Sequence, residues 1–226
     1  MKSRIRLQLQ TSASQHARLV ALQQAFAQAC NELAPIVQQT ACWNRVALHH
    51  MVYKAMRAKF PELGSQMVCN AIYSVSRSCR LVYQHPGSPF NLQRLGGKPL
   101  PRVHFLPQSP VYFDRHTLSL KGGQVSMFTL DGRMRFSLAL SDADERRFRT
   151  EKLCEIVLNQ QGGQFWLTFQ LDDGQAPELG SAEEELDATP AARGSELPEY
   201  MLVIDDAPHA AMPTSVPAVS LTMTSP

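Results

Sequence analysis

Arginine and lysine side chains recur on single faces of the predicted helices and strands, and they are the residues here best suited to chemistry. The planar guanidinium of arginine donates two parallel hydrogen bonds, which match two phosphate oxygens. One tyrosine belongs to the same set, because an aromatic ring can stack on an unpaired base. The predicted nucleic-acid-binding residues are Lys2, Arg4, Arg6, Lys54, Arg57, Tyr73, Arg77, Arg80, Arg133, Arg135, Arg146 and Arg147.

Charge is distributed unevenly along the chain. Residues 1–170 contain 21 Lys and Arg against 9 Asp and Glu, a net charge of +12. Residues 171–226 contain 1 Arg against 11 Asp and Glu, a net charge of −10. A basic body with an acidic tail indicates a polyanionic partner for the body. The alternative is a well-solvated surface with a solubilising tail, because net charge bears on association and not on fold.

The histidines and cysteines do not assemble into a metal or catalytic motif. His49 and His50 are adjacent on a predicted helix and point about 100° apart, so they cannot chelate one ion together. No Cys-x-x-Cys pair is present, so neither a zinc site nor a redox motif is indicated, and no cofactor is predicted. Cys30, Cys69 and Cys79 fall on apolar stripes and are expected to be core thiols of a cytoplasmic protein.

The N-terminal half alternates once with period two and then takes a helical period. Residues 4–10 alternate strictly and predict a strand with Ile5, Leu7 and Leu9 on its inner face. Apolar residues at three- and four-residue steps then predict helices over Gln15–Gln38, Trp43–Phe60 and Gln66–Gln84. Pro35 is expected to close or bend the first helix, and Ser65 to cap the third.

Prolines and glycines from His85 to Pro101 predict a loop, after which the apolar period is two. The predicted strands are Arg102–Leu106, Val111–Phe113, Thr117–Leu120, Gln124–Leu130, Arg133–Leu140, Leu153–Leu158 and Gln164–Leu171. Residues 142–149 predict a charged turn or a short helix. We expect the first strand to pair with the late ones, with the helices inserted between them.

The predicted fold class is therefore α+β, a small antiparallel β-barrel with an inserted three-helix lobe. The barrel is assigned to residues 1–12 and 100–172, the lobe to 13–85 and a linker to 86–99. Residues 173–226 form an acidic, proline-rich tail that is expected to be disordered apart from a short apolar strand near residues 200–205. No leader peptide and no membrane-spanning run is predicted.

Several segments together resemble one family. A basic strand containing Arg-Ile-Arg-Leu precedes a helix that ends in Phe-Ala-Gln-Ala-Cys-Asn-Glu-Leu (Phe26–Leu33). The stretch Val111–Leu140 and the Phe-Trp-Leu-Thr-Phe strand at Phe165–Phe169 complete the pattern. Residues 2–171 resemble the N-terminal half of TnpB, the transposon-encoded ancestor of type V CRISPR effectors. The resemblance implies a wedge barrel with an inserted recognition lobe, which bind the guide-RNA scaffold and the guide–target duplex.

The sequence departs from that family where the nuclease would begin. A RuvC nuclease needs three separated carboxylates that hold two metal ions. Leu-Val-Ile-Asp at residues 202–205 resembles the strand that carries the first of them, but the glycine that normally follows is missing. Asp205 is thus expected to be a remnant of that site, or an acidic turn after a short edge strand. The other two carboxylates are not expected on this chain, so no enzymatic activity is predicted.

These observations predict a nuclease-deficient, RNA-guided-type nucleic-acid-binding protein. Its expected partner is a structured guide RNA, with target DNA and a separate nuclease subunit as further partners and no membrane. The alternative is an accessory DNA-binding or protein-interaction module whose acidic tail covers a basic surface.

Overall fold

The computed structural model describes residues 2–172, Gly174 and residues 197–204. The helices are α1 (Ala13–Thr40), α2 (Arg45–Lys59), α3 (Gly64–Gln84), α4 (Leu92–Leu95) and α5 (Asp142–Thr150), with a 3₁₀ turn at Pro61–Leu63. The strands are β1 (Lys2–Gln8), β2 (Arg102–Phe105), β3 (Val111–Phe113), β4 (Leu118–Lys121), β5 (Gln124–Thr129), β6 (Gly132–Ser137), β7 (Lys152–Gln161), β8 (Gln164–Asp172) and β9 (Met201–Ile204). Each predicted helix and strand is therefore present, with its ends shifted by a few residues.

The described strands form antiparallel sheets ordered β1-β8-β7-β3, β2-β9 and β4-β5-β6. β1 pairs with β8 so that Ile5 lies opposite Phe169. This confirms that the first strand joins the late ones and that the helices are inserted between them. The fold is thus a mixed α and β fold with several antiparallel sheets.

The predicted closed barrel is not formed by the described strands. The four-stranded sheet ends at β3, where α3 and not another strand covers the edge. The Asn70 side chain of α3 donates from Nδ2 to the Tyr112 carbonyl at 3.0 Å. Because a helix side chain takes the place of a neighbouring strand there, the sheet stays open.

One hydrophobic core joins the helices to the sheets. The inner face of the four-stranded sheet contributes Phe165, Phe169 and Leu158, all fully buried. α1 and α3 contribute the expected stripes, including Phe26 and Ile72, which are also fully buried. Burying large aromatic and aliphatic side chains stabilises a fold by roughly 1.5–3 kcal/mol each, so this shared core ties the two halves together.

The first helix ends two residues beyond the expected Gln38, but Pro35 does not close it, and the expected cap of the third helix is wrong. α1 continues past Pro35 to Thr40, because Val37 is fully buried and the Gln38 side chain donates to the Leu100 carbonyl at 3.0 Å. These contacts outweigh the backbone hydrogen bond that proline removes. α3 begins at Gly64, directly after the 3₁₀ turn, so Ser65 lies inside the helix and does not cap it.

The cysteine prediction is confirmed at two positions. Cys30 and Cys79 are buried, and burial raises the pKa of the Cys30 thiol to about 12 and that of Cys79 well above its usual value. Cys69 is only partly buried. Cys30 and Cys79 are therefore inert packing residues at neutral pH.

None of the helices in the described part of the chain is long and apolar enough to cross a membrane.

Three amide side chains on one face of α1 hold the segment from Leu100 to Ser109, and we call Gln23, Asn31 and Gln38 the amide row. Asn31 donates from Nδ2 to the Phe105 carbonyl at 2.8 Å and accepts from the Phe105 N–H at 2.7 Å. Gln23 donates to the carbonyl of Ser109 at 3.3 Å. The amide row thereby satisfies backbone groups that face away from any strand.

Replacing Asn31 with alanine is expected to lower the free energy of unfolding by about 1–3 kcal/mol, because both backbone groups of Phe105 lose their partner. Urea denaturation followed by circular dichroism measures this change. Gln28→Ala is the matched control, since Gln28 is exposed on the same helix; its effect should stay within about 0.5 kcal/mol. Equal losses for the two variants would contradict the role of the amide row.

Candidate nucleic-acid interface

The outer side of the three-stranded sheet is a cationic surface, which we call the basic sheet face. Alternation buries Val125, Met127 and Phe136 on the inner side of β5 and β6. The outward-facing strand residues are Ser119, Lys121, Gln124, Ser126, Phe128, Arg133, Arg135 and Ser137. This set contains three cations and no carboxylate.

Arg133 is held in place on this face by four contacts. Its guanidinium carbon lies 4.4 Å from the centroid of the Phe128 ring, which is 40% exposed. Its nitrogens donate to the carbonyls of Ser126 at 3.1 Å and His116 at 2.9 Å, with a longer contact to the Ser126 hydroxyl at 3.4 Å. Arg135 lies two residues further along β6 and is exposed. The backbones of the two arginines are therefore about 7 Å apart along the strand, and both side chains leave it on the same face.

Asp114 and Asp131, which lie in the turns next to the strands of this sheet, are engaged elsewhere. Asp131 pairs with Arg18 at 3.4 Å. Asp114 accepts from the backbone N–H groups of His116 and Thr117, both at 3.0 Å, and so closes the turn before β4. Neither carboxylate neutralises the cations of the basic sheet face, which leaves that face attractive to anions.

The outer side of the four-stranded sheet has a different composition, and we call it the polar platform. It consists of Arg4, Arg6 and Gln8 of β1, Gln164, Trp166, Thr168 and Gln170 of β8, and Asn159 and Gln161 of β7. The guanidinium of Arg6 lies 4.4 Å from the centroid of the Trp166 ring and donates to the Gln161 side chain. Arg4 and Arg6 are exposed.

Tyr73 and Arg77 join α3 to β7 and are largely occupied by that contact. Arg77 donates to Glu155 at 2.9 Å and to the Tyr73 hydroxyl at 3.0 Å, and Tyr73 donates to Glu155 at 2.7 Å. Burial, reinforced by the Glu155 carboxylate, raises the pKa of the Tyr73 hydroxyl, so it remains a donor at neutral pH. This geometry gives both residues a structural role, and little of either is left for a ligand.

Arg57 and Arg147 also make internal contacts. Arg147 pairs with Glu151 at 3.0 Å and bonds the Ser3 hydroxyl. Arg57 donates to the Phe60 carbonyl at 3.3 Å, which closes the C-terminal end of α2. Lys54 of α2, Arg80 of α3 and Arg146 of α5 are exposed on three separate helices.

The structure thus brings together two pairs of the predicted binding residues. Arg4 and Arg6 share the polar platform, and Arg133 and Arg135 share the basic sheet face. The Lys2 backbone pairs with Asp172. Asp205 lies outside the described residues, as does most of the acidic tail.

Sequence reasoning missed Trp166, Phe128 and Lys121 as parts of these surfaces. Trp166 and Phe128 were placed inside strands by alternation, but the cation above each ring comes from another strand. Only the registers of β1 with β8 and of β5 with β6 bring each arginine to its ring. Lys121 ends β4 on the same face as Ser119, which strand alternation alone indicates.

Within residues 2–172, Gly174 and 197–204, no group of three or more His, Cys, Asp or Glu could hold a metal ion. His49 stacks on Tyr53 at 4.7 Å, and its ring is nearly perpendicular to that of His50.

No known protein-family model matches the chain, and no curated protein is significantly similar to it. The resemblance to TnpB therefore stays a prediction.

Replacing Glu155 with glutamine is expected to lower the free energy of unfolding by roughly 2 kcal/mol, because the half-buried Arg77 cation loses its counter-charge. Denaturant unfolding measures the loss. Glu145→Gln is the control, since Glu145 pairs with Arg149 at 2.9 Å on the surface; exposed pairs contribute about 0–1 kcal/mol. If the Glu155 variant were no less stable than the control, the cluster would not hold α3 on the sheet.

Proposed function

We propose that this chain binds structured RNA through the basic sheet face and does not cleave it. The observation that carries the proposal is the pairing of Arg133 and Arg135 on a surface whose strand residues include no carboxylate. Phosphate contacts supply most of the affinity in such complexes, and arginine is the residue best matched to them. The net charge of +12 on residues 1–170 supports the same partner.

The basic sheet face, on a three-stranded sheet, suits the backbone of a folded RNA. A-form helices are recognised mainly by their shape and by contacts to phosphates and 2′-hydroxyls. The arginines of the basic sheet face project about 7 Å apart along one strand, so they can contact neighbouring phosphates of one RNA strand. Such contacts carry no base sequence information.

We further propose that the chain is of RNA-guided type and related to TnpB. Support comes from the insertion of α1, α2 and α3 between β1 and the later strands, which is the order of a wedge with an inserted recognition lobe. In this proposal an open wedge and a three-helix lobe bind a guide RNA and the RNA–DNA heteroduplex. Cleavage of a target would then fall to a separate nuclease subunit.

The double variant Arg133→Gln with Arg135→Gln is expected to weaken binding to a co-purifying structured RNA about tenfold at moderate salt. Removing two phosphate contacts should also reduce the magnitude of the slope of log Kobs against log salt by about 1.4–1.8. Fluorescence anisotropy over a salt series measures both quantities. Arg94→Gln with Lys98→Gln removes the same charge from exposed residues of α4 and of the loop that follows it, so it serves as the charge-matched control.

Equal affinities and slopes for the two double variants would contradict the role of the basic sheet face. Purification without RNA, combined with DNA binding that increases after removal of the acidic tail (residues 173–226), would favour the alternative of an accessory DNA-binding module. Magnesium-dependent cleavage of RNA or DNA that is abolished by Asp205→Ala would contradict the proposal that the chain does not cleave.

A further inference from the structure

We propose that the polar platform binds an unpaired nucleotide of the RNA, with its base stacked on the guanidinium of Arg6. The inference rests on the proposed function and adds a second surface to it, one that contacts a base where the basic sheet face contacts phosphates. The contacted group is a flat heterocycle freed from base pairing.

The Arg6–Trp166 pair is a layered stacking surface. Trp166 is the lower layer on β8, and the guanidinium of Arg6 lies 4.4 Å from its ring centroid. Gln161 accepts a hydrogen bond from Arg6 beside the ring. Arg6 is exposed, so its side chain is accessible to a ligand. Guanidinium planes stack on unpaired bases, and the tryptophan below adds cation–π stabilisation.

Amide side chains surround this stack. Gln8 lies directly opposite Trp166 on β1, and Asn159 lies opposite it on β7. Gln8 donates to Gln164 at 3.4 Å, a long and readily exchanged hydrogen bond. Oδ1 of Asn159 is buried and has no hydrogen-bond partner within the described residues, so this amide supports the stack from below. The exposed amides of Gln8 and Gln164 both donate and accept hydrogen bonds, so they can bind the mixed donor and acceptor edge of a base.

The charges of the platform suit a nucleotide and not a cationic ligand. Arg4 lies two residues before Arg6 on the same face of β1, about 7 Å away, where it can bind a phosphate adjacent to the stacked base. The Glu155 carboxylate at the border is neutralised by Arg77. At the far end of the platform, Asp172 lies in register with Lys2 and Lys152. Free cations thus outweigh free carboxylates around the stack.

Stacking on Arg6 requires an unpaired nucleotide. A base within a duplex has both faces covered by its neighbours and its pairing edge occupied. Only a base from a loop, bulge or end can expose a face to Arg6 and an edge to the amides. The platform is therefore expected to prefer single-stranded over fully duplex RNA.

The experiment compares two substitutions that keep the positive charge, Arg6→Lys and Arg4→Lys, in the full chain. The probes are a short single-stranded RNA and the same RNA annealed to its complement. Lysine keeps the positive charge but has no planar group on which a base can stack. Stacking of one base is worth about 1–3 kcal/mol, so Arg6→Lys should weaken single-strand binding about tenfold. Arg4→Lys should change it less than about threefold, because an ammonium still binds phosphate. Duplex binding should be unchanged in both.

A second measurement needs no substitution. With 2-aminopurine in the single strand, binding of the unmodified protein should change the fluorescence through stacking, and Arg6→Lys should abolish that change. Equal single-strand affinities for the two lysine variants, or an unchanged 2-aminopurine signal in the unmodified protein, would overturn the inference. In either case RNA binding that still depends on Arg133 and Arg135 would leave the proposed function standing. No RNA binding by the unmodified protein would overturn both.

Discussion

The positions of β2 and of its partner β9 depend on the hydrogen bonds from the amide row of α1 to the segment from Leu100 to Ser109. Gln23, Asn31 and Gln38 recur at steps of eight and seven residues, which places them on one face of the helix. They bond the carbonyls of Ser109, Phe105 and Leu100 respectively. The helix therefore acts as a neighbouring strand for β2, because it satisfies backbone groups that would otherwise be buried without partners.

β2 in turn supports the last described strand. β9 pairs with β2 over four residues, and the carbonyl of Tyr200 accepts from the Leu106 N–H at 3.0 Å and from the Ser109 hydroxyl at 3.0 Å. Tyr200 thus reaches the same short segment that Gln23 holds from the other side. A change that released this segment from α1 would loosen β2 and β9 together.

Local periodicity predicted the helices and strands because each element has one apolar face. It could not predict how the strands are divided among sheets, because that division depends on which edges are covered by helices. Asn70 at the edge of β3 is an example: its sequence neighbours give no sign that it bonds the Tyr112 carbonyl. Pro35 shows the same limit, since contacts of Val37 and Gln38 outweigh a local rule for ending a helix.

The candidate surfaces were only partly predictable for a related reason. Residue type and alternation correctly grouped Arg4 with Arg6, and Arg133 with Arg135, on single strand faces. Arg77 lies on a polar stripe of its helix and was therefore predicted to bind nucleic acid as these four arginines were. Its partner Glu155 lies 78 residues away, and nothing in the local pattern indicates that pairing.

Arg6 and Arg133 each place a guanidinium over an aromatic ring, but Arg133 is more tightly held than Arg6. Each guanidinium lies 4.4 Å from the centroid of an aromatic ring on the neighbouring strand. Arg133 is also tied to two backbone carbonyls, so its position is fixed and its charge is what it offers to a ligand. Arg6 is bonded to the side-chain amide of Gln161, which can rearrange. Because stacking on a ring removes rotamer freedom before a ligand arrives, the proposed binding would cost each of these arginines less entropy than it would cost a free surface arginine. The same cation–ring pair therefore suits a fixed phosphate contact on one sheet and an adaptable base contact on the other.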